Sequence, residues 1–91
     1  SYSVSGRAAL YKDNGKIVLL LDSFSSSNGP DLKVYLSTSA DATSFVSLSK
    51  LKSTRGRQIY EVPAGTDHEQ YKFALIWCER FSVLFGKAEM L

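Results

Sequence analysis

The sequence is poor in the residues on which many functional sites depend. It holds one cysteine, one histidine, one tryptophan and one methionine among 91 residues, and only two prolines. A single cysteine excludes an intrachain disulfide and any zinc or iron–sulfur site built from several cysteines. The formal net charge of +2 is too small to attract nucleic acid by bulk electrostatics, and no apolar run approaches the about 18 residues of a membrane span. We therefore expect no nucleic-acid partner, no metal centre and no transmembrane segment in this chain.

What the sequence does contain is a series of short apolar segments with a period of two. They predict β-strands at 7–11, 16–24, 32–37, 58–62, 71–78 and 81–85, of which 32–37 alternates as a half-buried strand. Asn14-Gly15 is a pair favoured in tight hairpins, 25–30 has the composition of a loop, and Gly86 indicates a bulge or bend. Segment 41–51 fits a short helical turn as well as a strand. The pattern predicts an all-β fold, a small antiparallel β-sandwich or barrel, in one domain over residues 1–91.

The only cysteine, Cys78, directly follows the only tryptophan at the end of the 71–78 segment. If Trp77 faces the core, strand alternation places Cys78 on the opposite face, in a second packed layer or in a surface cleft. A free cysteine is often buried and behaves as a small hydrophobe. The alternative is that Arg80 stabilises the thiolate, which is the form that acts as nucleophile or metal ligand. The residues alone leave both interpretations open.

His68 and Met90 are the other residues whose chemistry could matter. Together with Cys78 they are types that bind haem iron axially, but their spacing does not support a haem site, and no Cys-x-x-Cys-His motif for covalent attachment is present. A Cys78–His68 catalytic pair would need the histidine loop to fold back onto the strand end. We expect His68 to be an exposed loop residue, and we rank a hydrolase last among the functions considered.

Two connections combine charge with turn residues. Asp31 stands at a strand entrance after a proline, where its side chain is expected to brace the turn. Arg55-Gly56 predicts a turn in which Gly56 adopts positive φ. The surrounding basic residues could meet a phosphate or an acidic partner, although a solvated loop is the default without interleaved aromatic residues. These residues are Lys50, Lys52, Arg55 and Arg57.

Taken together, three segments resemble a known family. They are GPDLKVYLS at 29–37, LKSTRGRQIY at 51–60 with Val62-Pro63, and IWCERFSVLFGKA at 76–88; the opening from Ser5-Gly6 through Phe24 also fits. This combination resembles the DM-thirteen domain, the so-called electron-transfer domain. The resemblance implies a small all-β domain that acts outside the cytoplasm, in cell-surface or matrix proteins joined to cytochrome-type DOMON domains, or in bacterial exported proteins and lipoproteins. It also implies that Cys78 has a redox role, as a free thiol or as the ligand of a prosthetic group such as haem.

Two functions follow from the residues and the resemblance. The first is a non-enzymatic redox or electron-transfer domain centred on Cys78, in which Trp77 and Phe81 shape the surroundings of the thiol and Arg80 tunes it. Its partner would be a redox protein or a cell-surface protein. The second is an extracellular binding or adhesion module in which Cys78 is structural and the serine-rich and basic loops, including Asp31 and Arg55-Gly56, meet the partner. Because the chain begins at Ser1, we expect a mature or trimmed segment whose targeting signal is not present.

Overall fold

The computed structural model describes residues 2–90 and is almost entirely β-structure. Its seven strands and one 3-10 turn, His68–Gln70, follow one another along the chain without an α-helix in that range. The strands are β1 (Val4–Asp13), β2 (Lys16–Ser26), β3 (Leu32–Ser37), β4 (Phe45–Lys50), β5 (Gln58–Glu61), β6 (Phe73–Cys78) and β7 (Val83–Glu89).

The strands form two antiparallel sheets. One has the order β1-β2-β5 and the other the order β4-β3-β6-β7. The buried cluster combines Leu19, Leu21 and Tyr60 of the first sheet with Val34 and Ile76 of the second. The core therefore lies between two sheets, and the predicted all-β antiparallel sandwich is confirmed.

The β1–β2 connection forms as its sequence predicts. Asn14 and Gly15 have φ of 51° and 78°, which is the left-handed conformation that a two-residue hairpin turn of the primed type requires. The turn sets the β1–β2 register from Asp13↔Lys16 onwards, with an irregularity between Ser5 and Arg7.

A bulge in β7 brings the two sheets close together at one corner. Ile76 pairs with Gly86 while Trp77 pairs with Leu84, so Phe85 is the extra residue of β7. A Cβ atom on Gly86 would lie 2.5 Å from the Cβ of Val4. The predicted bend at Gly86 is confirmed, and glycine is needed there because β1 of the other sheet occupies the space where a side chain would stand.

Three local predictions need correction, and one open alternative is decided. Strand β3 is buried on both faces rather than on one, since Tyr35 is 2% and Ser37 0% exposed. The ambiguous 41–51 segment contains strand β4, and β2 runs to Ser26, into the predicted loop. The last strand starts at Val83, because 79–82 form the turn in which Phe81 is exposed.

Candidate functional site

Cys78 is the last residue of β6 and lies on the core face of the sheet. The side chain is free and 0% exposed, and it belongs to the buried cluster that fills the sandwich. Its neighbours in the sheet are Leu32 of β3 and Val83 of β7. Cys78 thus faces the core and Trp77 does not, which is the opposite of the arrangement that follows if Trp77 faces the core. The sulfur therefore lies where a small hydrophobe packs well and where no solute reaches it in the closed fold.

The residues expected around the thiol lie elsewhere. Trp77 is half-buried on the outer face of the sheet, because successive strand residues point to opposite faces. Arg80 and Phe81 follow in an exposed turn, where 59% of Phe81 is accessible to solvent. The structure thus brings none of the three to the core face on which the sulfur lies.

His68 and Met90 lie at the other end of β6. Met90 donates its backbone N–H to Lys72, just before β6 begins, and it lines the same surface depression as His68. Cys78 ends that strand, roughly 17 Å further along at about 3.4 Å per residue. One site therefore cannot hold all three residues, and the Cys78–His68 pair that the sequence disfavours is not formed. His68 itself is partly buried in the 3-10 turn and not fully exposed as expected. A haem does not fit at Cys78 either, because the two sheets would have to part to admit a porphyrin.

A polar network lies on the outer face of the four-stranded sheet, beside Trp77. The Tyr35 hydroxyl donates to Glu79 Oε2 at 2.6 Å, and Lys33 Nζ contacts Glu79 Oε1 at 3.0 Å and Asp31 Oδ1 at 3.1 Å. The Glu79 N–H also donates to the Asp31 carbonyl at 3.0 Å. Asp31 thus contacts the network in two ways, through the ion pair of its side chain with Lys33 and through its backbone carbonyl.

The network shifts the acid–base properties of its members. The hydrogen bonds from Tyr35 and then Lys33 lower the pKa of Glu79. The contacts with Glu79 and then Asp31 raise the pKa of Lys33. Burial, followed by the hydrogen bond to Glu79, raises the pKa of Tyr35 far above that of a free phenol. At neutral pH the network is therefore a neutral phenol that donates to a carboxylate held by an ammonium group.

Three aromatic rings cover the same face. Tyr35 stacks on Phe45 of β4, with ring centroids 4.2 Å apart and planes at 12°, and on Trp77 of β6 at 6.2 Å and 22°. We call Phe45, Tyr35 and Trp77 the aromatic row. Phe45 remains 44% exposed, whereas Tyr35 in the middle is buried. The row explains why β3 is buried on its outer face.

Sequence reasoning missed Tyr35, Lys33, Phe45 and Glu79. Alternation in β3 does place Lys33 and Tyr35 on one face, which is a usable signal. The position of Glu79 depends on the β3–β6 register, in which Leu32 pairs with Cys78. No local pattern in the sequence fixes that long-range pairing.

The basic connection between β4 and β5 is anchored to β2. Gly56 has φ of 95°, as predicted for its turn, and donates its N–H to the Phe24 carbonyl at 2.9 Å. Arg55 forms an isolated bridge with Ser25. The side chains of Arg55 and Arg57 remain exposed, so this connection presents positive charge from a fixed backbone.

Comparison with known proteins identifies the family. The family model described as electron transfer DM13 matches residues 1–90. The chain belongs to the DM13 family. No curated protein and no solved structure matches the chain. The DM13 description indicates an electron-transfer-related domain, in agreement with the resemblance of its three segments.

Residues 2–90 of this DM13 domain contain no helix that combines the length and the apolar character needed to cross a bilayer. They also contain no cluster of three or more histidine, cysteine, aspartate or glutamate side chains arranged to hold a metal ion.

Proposed function

We propose that this DM13 domain is a non-enzymatic electron-transfer module that acts outside the cytoplasm, exchanges electrons with a redox or cell-surface protein, and uses the Cys78 thiol as a redox group. The observation that carries the proposal is the DM13 match over residues 1–90. Cys78 supports it as the only thiol of the chain. The location outside the cytoplasm rests on the family resemblance, which implies exported proteins and lipoproteins.

The burial of Cys78 limits how it can exchange electrons. Thiol–disulfide exchange needs direct attack of a thiolate on a sulfur atom, and the thiol is 0% exposed. The closed fold therefore favours loss of one electron through packed side chains to the oxidised centre of a partner over disulfide exchange. In that step the S–H bond breaks, the proton leaves to solvent and a thiyl radical remains at Cys78. We accordingly propose the free thiol, and not a bound haem, as the form in which Cys78 acts.

Voltammetry of the domain adsorbed on an electrode tests the role of Cys78. We expect the wild-type chain to give a redox wave that is lost in Cys78→Ala, with circular dichroism to verify that both proteins are folded. Ala74→Ser is the matched control, since Ala74 lies on the same strand and the same core face. Identical voltammograms for wild type and Cys78→Ala would remove Cys78 from the mechanism.

A second function is favoured by the same burial. A cysteine packed among aliphatic side chains is a sufficient structural explanation of Cys78, and the exposed Arg55 and Arg57 offer charge to an acidic partner. In this alternative the domain is an extracellular binding module. Heparin serves as a polyanion probe: Arg55→Glu with Arg57→Glu should elute at lower salt, while Lys12→Glu with Lys87→Glu, which makes the same change in net charge at exposed positions of β1 and β7, should cause a smaller change. Equal shifts in both variants would indicate bulk charge and contradict a binding loop.

A further inference from the structure

The middle of the aromatic row has the geometry of a proton-coupled redox pair. Tyr35 is 2% exposed, and its hydroxyl lies 2.6 Å from Glu79 Oε2. That separation is typical of a strong O–H···O⁻ hydrogen bond. A phenol that loses an electron becomes a strong acid and must release its proton. In Tyr35 a base is already bonded to that proton, so no rearrangement is needed.

The carboxylate is held in its basic form and in place. The charged groups that face Glu79 are Lys33 at 3.0 Å from Oε1 and Asp31, which shares the same ammonium group. Lys50 of β4 is the register neighbour of Lys33 and adds positive charge beyond it. Because Lys33 and Tyr35 both favour the ionised carboxylate, Glu79 is available as a proton acceptor at neutral pH.

We propose that Tyr35 is a one-electron redox site of this domain, with Glu79 as its proton acceptor and Trp77 as its electron-transfer neighbour. This deepens the proposed electron-transfer function and rests on it. A strong one-electron oxidant, such as an azide-type radical or a high-valent metal centre of a partner, first removes an electron from Trp77. Tyr35 then gives an electron to the Trp77 radical cation while its O–H bond breaks and the proton passes to Glu79 Oε2. The products are neutral indole, neutral phenoxyl radical and neutral carboxylic acid, so charge and atoms balance.

The other tyrosines lack this arrangement in the described part of the chain. The Tyr60 hydroxyl donates to the neutral amide oxygen of Gln58, which is a poor base. Tyr2 and Tyr11 are more than half exposed, and Tyr71 is only partly buried. Tyr35 alone combines burial, a carboxylate partner and stacking on the tryptophan.

The experiment uses the fact that the chain has one tryptophan. Azide radicals generated by pulse radiolysis oxidise tryptophan selectively, so the first radical forms at Trp77. We expect the absorption of the Trp77 radical cation to decay as the phenoxyl absorption grows, at a first-order rate that is independent of protein concentration. Tyr35→Phe, which keeps the stacked ring, should abolish this growth, and Tyr11→Phe should leave it unchanged. Phenoxyl growth in Tyr35→Phe at the wild-type rate would overturn the proposal.

The role of Glu79 has its own measurement. Glu79→Gln keeps the shape but removes the base, and we expect transfer to slow by about 100-fold, the scale of a positioned proton acceptor. In wild type the rate should fall as pH drops through the lowered pKa of Glu79, whereas in Glu79→Gln the profile should be flat. Equal rates and equal pH profiles would refute Glu79 as acceptor, and the wild-type profile provides this test without any variant having to fold.

The same radiolysis in Cys78→Ala separates the two proposals. Because the aromatic row lies on the opposite face from the thiol, Trp77-to-Tyr35 transfer should persist in that variant. A voltammetric wave that persists unchanged in Cys78→Ala, with Trp77-to-Tyr35 transfer intact, would refute only the thiol role. Absence of Trp77-to-Tyr35 transfer in the wild type, with a wave that does depend on Cys78, would refute only the role of Tyr35.

Discussion

Replacement of Cys78 by serine tests whether the sulfur lies in a dry, apolar site. The change conserves shape closely and exchanges a weakly polar thiol for a hydroxyl that needs a hydrogen-bond partner. Because the position is 0% exposed within the core cluster, no water can provide that partner in the closed fold. The substitution therefore measures the polarity of the site with little change in volume.

The expected cost follows from the burial. Placing a hydroxyl in an apolar protein site without a partner costs about 1–3 kcal/mol. A chain of this length has a total stability of about 5–14 kcal/mol at the usual value per residue, so the loss is a large part of the total. For a domain of this size, about 2 kcal/mol corresponds to a fall in Tm of about 8–16 °C.

Urea and thermal unfolding followed by circular dichroism provide the assay. Ala74→Ser places the same hydroxyl on the same strand and core face, at 4% exposure, and should lose a comparable amount. Ala64→Ser lies in an exposed connection and should stay within about 0.5 kcal/mol of wild type. The denaturant dependence should be unchanged in all three variants, since each folded state buries the same surface.

One pattern of results would refute the reasoning. If Cys78→Ser stayed within about 0.5 kcal/mol of wild type while Ala74→Ser was clearly destabilised, the sulfur position would be wet or locally open. The rate of alkylation by iodoacetamide independently measures the accessibility of the Cys78 thiol. A buried thiol should react only through opening of the fold, more slowly than the unfolded chain by about a thousandfold or more.

Two further predictions concern the sheets and their outer face. Gly86→Ala should cost about 1–3 kcal/mol by overpacking, because its Cβ would collide with Val4; a loss below about 0.5 kcal/mol in urea melts would contradict the close approach of β1 to β7. The lowered pKa of Glu79 means that its contribution to stability is complete above the unfolded value of 4.5 and is lost as pH falls through the lower folded value. Glu79→Gln should therefore reduce the loss of stability between neutral and acid pH. If the free energy of unfolding depended on acid pH in the same way in wild type and Glu79→Gln, the hydrogen bonds and ion pair of Glu79 would not stabilise the fold.

The sequence predicts the strands better than it predicts the faces they present. Alternation in 71–78 is real, but the larger residues of that segment suggest the wrong face as the core. Ala74, Ile76 and Cys78 face the opposite sheet, while Trp77 packs on Tyr35 outside. Period two shows that two faces differ, and it does not show which face meets the second sheet.

The candidate site shows the same division between local and long-range information. Gly56 and Asn14-Gly15 could be predicted because their backbone conformations depend on neighbouring residues. The pairing of Tyr35 with Glu79 could not, because the two residues meet only through the β3–β6 register. Charge and residue type identify the members of the network, and topology alone brings them together.

The pairing of Leu32 with Cys78 also affects how long the thiol is exposed while the newly made chain folds. These residues lie far apart in the chain, so the sulfur stays open to solution until a slow, non-local strand pairing forms. Folding of all-β sandwiches takes roughly milliseconds to seconds, whereas disulfides form over seconds to hours. In oxidising surroundings the core thus closes around the thiol before most oxidants can capture it. In a variant that delays β3–β6 pairing without weakening the finished core, a smaller fraction of the chains should fold and a larger fraction should be linked to other chains by disulfides at Cys78.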